Sequence, residues 1–399
     1  MLFNLIKNTV LLFLITLPTS EINNTHKIKT SLLVGANQLE LYLPILKNKS
    51  VAVVANQTSV IFKKSNTNYT HLVDSLLKHD VKIEKVFAPE HGYRGIADAG
   101  EYVNNGIDSK TGLQIISLYG SNKKPNKTHL EGIDIVIFDI QGVGARFYTY
   151  ISTLHYMMEA CAELKIKMII LDRPNPNAHY IDGPVLDMKY KSFVGMHPVP
   201  ITHGMTIGEF ATMINGEEWL GDQLSCDLTV IKIKNYNRNK KYELPIKPSP
   251  NLPNGKAINL YPSLCLFEGT NVSVGRGTEM QFQVFGSPLI NEEKFSYSFT
   301  PQPNIGSKSP KHNGKVCYGL NLERSEYLNE INLEWLISAY QSSEKKSEFF
   351  NSFFTKIAGQ KILQKQIENG FNAEEIKKSW KLDLKNFKIT RSKYTLYKD

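Results

Sequence analysis

From Ser50 to about Ile233, short runs rich in β-branched residues alternate with stretches whose apolar residues recur at helical spacing. Val51-Ala52-Val53-Val54, Val81 to Phe87, Ile133 to Phe138 and Met168 to Leu171 read as strands. His71 to Leu77 and Tyr150 to Leu164 carry the helical pattern between them. Thr206-Ile207-Gly208-Glu209 has the Ser/Thr-x-x-Glu spacing of a capping box and is followed by Phe210, Met213 and Ile214, so a helix is expected to start there. Strands alternating with crossover helices build a parallel sheet covered on both faces, and the expectation is a doubly wound α/β domain.

A Pro- and Lys-rich stretch from Asn235 to Pro253 breaks that rhythm and marks the expected domain boundary. The expected division is a catalytic domain over residues 21–240 and a smaller C-terminal α/β domain over residues 241–399. The second carries a Gly- and Thr-rich run from Glu268 to Gly286, a helical pair from Leu333 to Ile367 and a basic, aromatic-rich end. At the N-terminus, Lys7, an apolar run from Val10 to Leu17 and Pro18-Thr19-Ser20 follow the charge, apolar, small-residue order of a signal peptide, expected over residues 1–20. That run is too short to cross a bilayer comfortably, so the mature chain is expected to be exported, periplasmic or secreted, with no stable membrane insertion.

With 399 residues, 41% of them hydrophobic, the chain can bury a large core, and no fixed-period repeat suggests a solenoid. Cys161, Cys226, Cys265 and Cys317 lie far apart, without the paired spacing of a zinc or redox motif; they read as buried thiols, and export leaves room for one disulfide of unspecified pairing. The formal charge of +9 would draw the protein to an anionic polymer. Export favours cell wall over nucleic acid, and no nucleic-acid-binding motif is present.

In an open parallel sheet, ligands bind beyond the carboxyl ends of the strands. Four such ends are rich in polar residues: Ala88-Pro89-Glu90-His91-Gly92-Tyr93-Arg94-Gly95, Asp139-Ile140-Gln141-Gly142-Val143-Gly144-Ala145-Arg146-Phe147-Tyr148, Asp172-Arg173-Pro174-Asn175-Pro176, and Pro200-Ile201-Thr202-His203-Gly204. Each alone has a local explanation in turn chemistry, with Glu90 bracing Arg94 as one case. Together they are expected to converge on one crevice.

The strings FAPEHGYRG, FDIQGVGARFYTYISTL, LDRPNP, PITHGMTIGE and NLYPSLCLFEGTNVSVGRGTE, in this order and continuing to the SKYTLY tail, resemble the exo-β-N-acetylmuramidases of the NamZ type from about Gly35 onward. The resemblance implies a Rossmann-like catalytic domain, a smaller C-terminal α/β domain, a site in the cleft between them, and no cofactor. It implies release of N-acetylmuramic acid from the non-reducing ends of peptidoglycan fragments.

Glycoside cleavage needs a proton donor for the leaving oxygen and a second group at the oxocarbenium-like centre. Glu90 is the first choice for the acid, with His91 orienting it or touching the sugar. Asp139, Asp172, Glu268 and Glu279 remain open for the second role, as does the substrate's own acetamido group, which Asp139 or Asp172 would then orient. Asp139 and Glu268 are put forward with Glu90 as catalytic. The lactyl carboxylate of muramic acid calls for an Arg fork, offered by Arg146, Arg173 and Arg276. Tyr148 is a stacking candidate, and Gln141, Asn175 and His203 are further polar contacts.

Three other readings compete. Gly142-Val143-Gly144 begins a dinucleotide fingerprint, but Phe147 stands where its third glycine belongs. A metal-dependent hydrolase lacks a paired-ligand motif, so no metal is expected. A non-catalytic periplasmic cell-wall sugar-binding protein has the same two-lobed outline and is the strongest alternative.

Overall fold

In chain order the strands are β1 (Ser50–Ala55), β2 (Val60–Phe62), β3 (Tyr69–His71), β4 (Lys82–Ala88), β5 (Gly106–Ile107), β6 (Gln114–Ser117), β7 (Ile135–Asp139), β8 (Lys167–Leu171) and β9 (Leu228–Ile231), followed by β10 (Val284–Ser287), β11 (Tyr297–Phe299) and β12 (Cys317–Asn321). This computed structural model describes residues 31–63, 68–93, 101 and 105–398. The segment read as a signal peptide and Arg94 therefore lie outside the described residues.

Among the described residues, seven strands form one sheet in the order β5-β6-β4-β1-β7-β8-β9, all parallel except the short β5. Counting only the parallel strands, this is the 3-2-1-4-5-6 order of the doubly wound Rossmann fold, whose direction reverses between β1 and β7. The α/β expectation and its four named strands hold. Alternate residues of β1 and β7 divide between two apolar clusters: Val54 and Phe138 face one, Val53 and Ile137 the other. Burial on both faces explains why these strands read as continuous apolar runs.

The helix Tyr150–Leu164 matches its expected limits, and Ile207–Gly216 begins at a capping box in which Thr206 and Glu209 bond each other's backbone N–H groups. The crossing segment at residues 235–253 contains no helix or strand. Beyond it, β10, β12 and β11 form a small antiparallel sheet. The apolar cluster holding Val54 and Phe138 continues without a break into this half through Leu260, Phe285 and Phe354. All four cysteines are buried free thiols.

Arg146 binds the two halves together. Its side chain is fully buried. Nη1 donates to the carbonyls of Pro184 (2.7 Å) and Val199 (2.8 Å), and Nη2 to those of Ile357 (3.0 Å) and Ala358 (2.9 Å). This corrects the expectation that Arg146 is available to a substrate carboxylate: its Nη donors are committed to backbone. Arg146→Met should lower the unfolding free energy by about 3 kcal/mol or more, because four buried carbonyls lose a charged donor. A denaturant titration showing a loss below about 1 kcal/mol would mean that the clamp contributes little to stability.

Candidate active site

Glu90 enters its position from the carboxyl end of β4. Pro89 ends the strand and a tight turn follows, in which His91 (φ 69°) and Gly92 (φ 77°) are both left-handed. A non-glycine residue in that region is uncommon and mildly strained, a feature that concentrates at functional sites. Thr149 immediately precedes the helix Tyr150–Leu164, yet its hydroxyl does not cap that helix; it donates to Glu90 Oε2 at 2.6 Å. The Tyr119 phenol, just past β6, stands beside the Glu90 carboxyl in the same cavity. Burial and the neighbouring carboxyl push that phenol well above its ordinary pKa. It stays protonated at any working pH.

Glu90, His91, Tyr119, Phe147, Tyr148 and Thr149 form one side of a cavity of about 250 Å³, and Tyr261, Glu268, Arg276 and Phe282 from the other half of the chain close it. Glu268 lies in the short 3-10 turn Cys265–Gly269 that continues the helix Gly255–Leu264. Arg276 Nε donates to Glu268 Oε1 at 2.8 Å, and both side chains keep about a quarter of their surface exposed (23% and 26%). Burial raises the Glu268 pKa, but Arg276 and then Lys311 outweigh it, so the net shift is downward and Glu268 is held as a carboxylate. The two glycines beside Arg276 are structurally required: at Gly275 (φ 78°) a Cβ would lie 2.6 Å from the Met280 carbonyl, and at Gly277 (φ 80°) 2.6 Å from that of Gln302. The Arg276 guanidinium rests 5.0 Å from the Phe282 ring centre. Its Nη groups make no hydrogen bond with a described residue.

The other candidates do not open into this cavity. Asp139 is fully buried in a bidentate pair with Arg173 (2.6 and 2.8 Å), and Arg173 also donates to the Val60 carbonyl. The Asp172 carboxylate accepts from Tyr397 Oη (2.6 Å), Thr206 Oγ1 (2.7 Å) and Gly208 N–H (2.8 Å), fastening the C-terminal tail and a helix start. Gln141 Nε2 donates to the carbonyls of Gly142 and Pro174. Asn175 accepts from Asn177 N–H and donates to the Met205 carbonyl. His203 packs edge-on against Phe210, and burial pulls its pKa down to about 3. Gly142, Arg173, Asn175 and His203 do meet, but around a void of about 10 Å³, enough for one water at most. Glu279 is exposed and lines a neighbouring groove with Lys247 and Gln281. Convergence of strand ends therefore occurs, yet most of their polar groups are used up on one another, and the structure leaves Asp139, Asp172, Arg173, Gln141, Asn175 and His203 no access to the cavity holding Glu90.

Several cavity residues carry no signal in the sequence, Tyr119, Thr149 and Asn251 among them. Tyr119 follows β6, a strand too short to stand out. Thr149 was obscured by the helix it precedes, and Asn251 by its Pro-rich surroundings. Among the described residues, no cluster of three or more His, Cys, Asp or Glu is placed to hold a metal ion, and no helix is long and apolar enough to cross a membrane.

Comparison with known proteins agrees with this architecture. The family model described as exo-β-N-acetylmuramidase NamZ, N-terminal, matches residues 51–256, and that for the C-terminal part matches residues 259–397. A peptidoglycan β-N-acetylmuramidase NamZ from Bacillus subtilis (strain 168) is 39% identical over 376 residues, covering 89% of each chain. Two crystal structures of DUF1343 family proteins from Bacteroides fragilis NCTC 9343 share the fold. One has a TM-score of 0.85 at 48% identity, covering 93% of this chain and 100% of its own; the other has 0.77 at 27%, covering 92% and 99%. With both family models in sequence order across nearly all the described residues, the chain belongs to the exo-β-N-acetylmuramidase NamZ family.

Proposed function

We propose that this protein is an exo-acting glycoside hydrolase that releases N-acetylmuramic acid from the non-reducing ends of peptidoglycan fragments. The observation that carries the reading is the cavity itself: in a chain of this family, one carboxyl from the parallel sheet (Glu90) and an ion-paired carboxylate from the other half (Glu268) open into a single space.

Glu90 acts as the general acid. Thr149 holds its carboxyl in one orientation, so that the proton is delivered to the glycosidic oxygen without first searching rotamers. Glu268, kept ionised by Arg276 and Lys311, supplies the negative charge that an oxocarbenium-like transition state needs. Phe147, Tyr148, Tyr261 and Phe282 wall the cavity with aromatic surface suited to a sugar face. Arg276, tied to Glu268 through Nε, presents its Nη groups to the lactyl carboxylate. The order Lys7, Val10 to Leu17, Pro18-Thr19-Ser20 supports export of the mature chain to the periplasm or medium, where peptidoglycan fragments are found.

Glu90→Gln is expected to keep fold and sugar binding while losing about a hundredfold to ten-thousandfold in turnover on a muropeptide disaccharide. Near-wild-type release of muramic acid at every pH would remove Glu90 from the acid role. Arg276→Lys keeps the charge and loses the planar fork. It should lower kcat/KM on the muramic acid substrate by about tenfold to a hundredfold, and scarcely change it on the matched N-acetylglucosaminide. Equal losses on both sugars would show that Arg276 serves Glu268 and not the lactyl group.

A further inference from the structure

Asn251 lies in Pro248-Ser249-Pro250-Asn251-Leu252-Pro253, the crossing segment between the halves. The backbone just before it is stapled to the first half. Gln57 Nε2 donates to the carbonyls of Lys247 (3.1 Å) and Pro248 (3.0 Å), and Tyr148 Oη to that of Pro248 (2.9 Å). The Tyr150 hydroxyl is shared between the Pro248 carbonyl at 3.3 Å and the Glu90 carbonyl at 3.4 Å. One tyrosine thus ties the segment carrying Asn251 to the turn carrying Glu90, and Asn251 lines the same cavity as Glu90, Glu268 and Arg276.

The Asn251 side chain is held in one orientation. It is 2% exposed, and Nδ2 donates to the Gly306 carbonyl at 2.6 Å. Rotating the amide by half a turn would set two oxygens against each other, so the free end is the oxygen. Gly306 is shaped to this contact: its φ is 92°, and a Cβ there would lie 2.6 Å from Pro250 Cβ. Asn251 Oδ1 has no hydrogen-bond partner among the described residues. A buried amide oxygen without a donor is costly, and a native protein that keeps one commonly has a ligand or water for it. The carboxylates in the cavity already have donors, Glu90 from Thr149 and Glu268 from Arg276.

We infer that Asn251 Oδ1 is a specificity-determining acceptor for a neutral N–H or O–H donor of the terminal sugar, an inference that rests on the proposed muramidase function. The donors available on terminal N-acetylmuramic acid are its acetamido N–H and its C4 and C6 hydroxyls. Asn251 and Arg276 then divide the sugar by charge. The amide oxygen repels the lactyl carboxylate and accepts a neutral donor, while the guanidinium takes the carboxylate. The bound sugar has its orientation set by this pair.

The test is calorimetric titration of wild type and Asn251→Ala with N-acetylmuramic acid and three analogues. One has the acetamido N–H replaced by oxygen, and the others lack the C4 or the C6 hydroxyl. Wild type should bind one analogue about fivefold to a hundredfold more weakly than the parent sugar. Asn251→Ala should bind the parent more weakly by a similar factor and lose that discrimination. If wild type binds all four sugars alike, or Asn251→Ala discriminates as wild type does, Asn251 is not the reader and its oxygen is served by water. A crystal structure of wild type with N-acetylmuramic acid answers without a variant: a sugar donor within about 3.2 Å of Oδ1 supports the inference, and a water or nothing there overturns it. Discrimination lost as expected, in a protein that releases no muramic acid from muropeptides, leaves Asn251 standing and removes the hydrolase. Turnover without discrimination does the reverse, and a wild type that binds no sugar removes both.

Discussion

Four backbone carbonyls from two distant stretches of chain converge on the buried guanidinium of Arg146, and the cavity depends on that convergence. A cation with no carboxylate partner is stable inside a protein only where enough dipoles replace its water. Ile357, one of the residues it holds, is itself part of the cavity wall. The clamp anchors the helix Phe354–Ala358, which packs on the turn carrying Glu268, to the first half, and the core runs continuously from the parallel sheet into the second.

The polar residues around the sheet's carboxyl edge show how a fold of this kind divides its chemistry. Asp139 and Arg173 neutralise each other close to the point where strand order reverses, and the Ser59 hydroxyl donates to the Asp139 carbonyl there. Asp172 ties together a helix start and the C-terminal tail. A charge buried this deeply must be fully partnered, so these groups are fixed as scaffold. Glu90 differs because the turn after Ala88 opens it into the cavity that the other half of the chain closes.

Inside the cavity, the two carboxyls are differently placed although they face the same space. Glu268 sits beside Arg276 and near Lys311, a basic environment that keeps it charged. Glu90 accepts from the Thr149 hydroxyl, and the Tyr119 phenol stands beside it. A glycosidase site needs two such groups, one to donate a proton and one to face the positive charge that develops on the sugar.

The α/β class, four of the central strands, the limits of the helix Tyr150–Leu164 and the capping box at Thr206 are all legible in the chain alone, because periodicity and capping are local properties. The sequence also singled out Glu90, His91, Tyr148, Glu268 and Arg276, since each stands in a Gly- or Pro-punctuated string next to an apolar element. It could not tell Arg276 from Arg146 or Arg173. All three are arginines on Gly- or Pro-rich loops, and only the tertiary structure decides which meets carbonyls, which meets Asp139 and which reaches a cavity. The same holds for Thr149, Tyr119 and Asn251: their roles follow from contacts between residues far apart in the chain, and such pairings leave no periodic signal in any one segment.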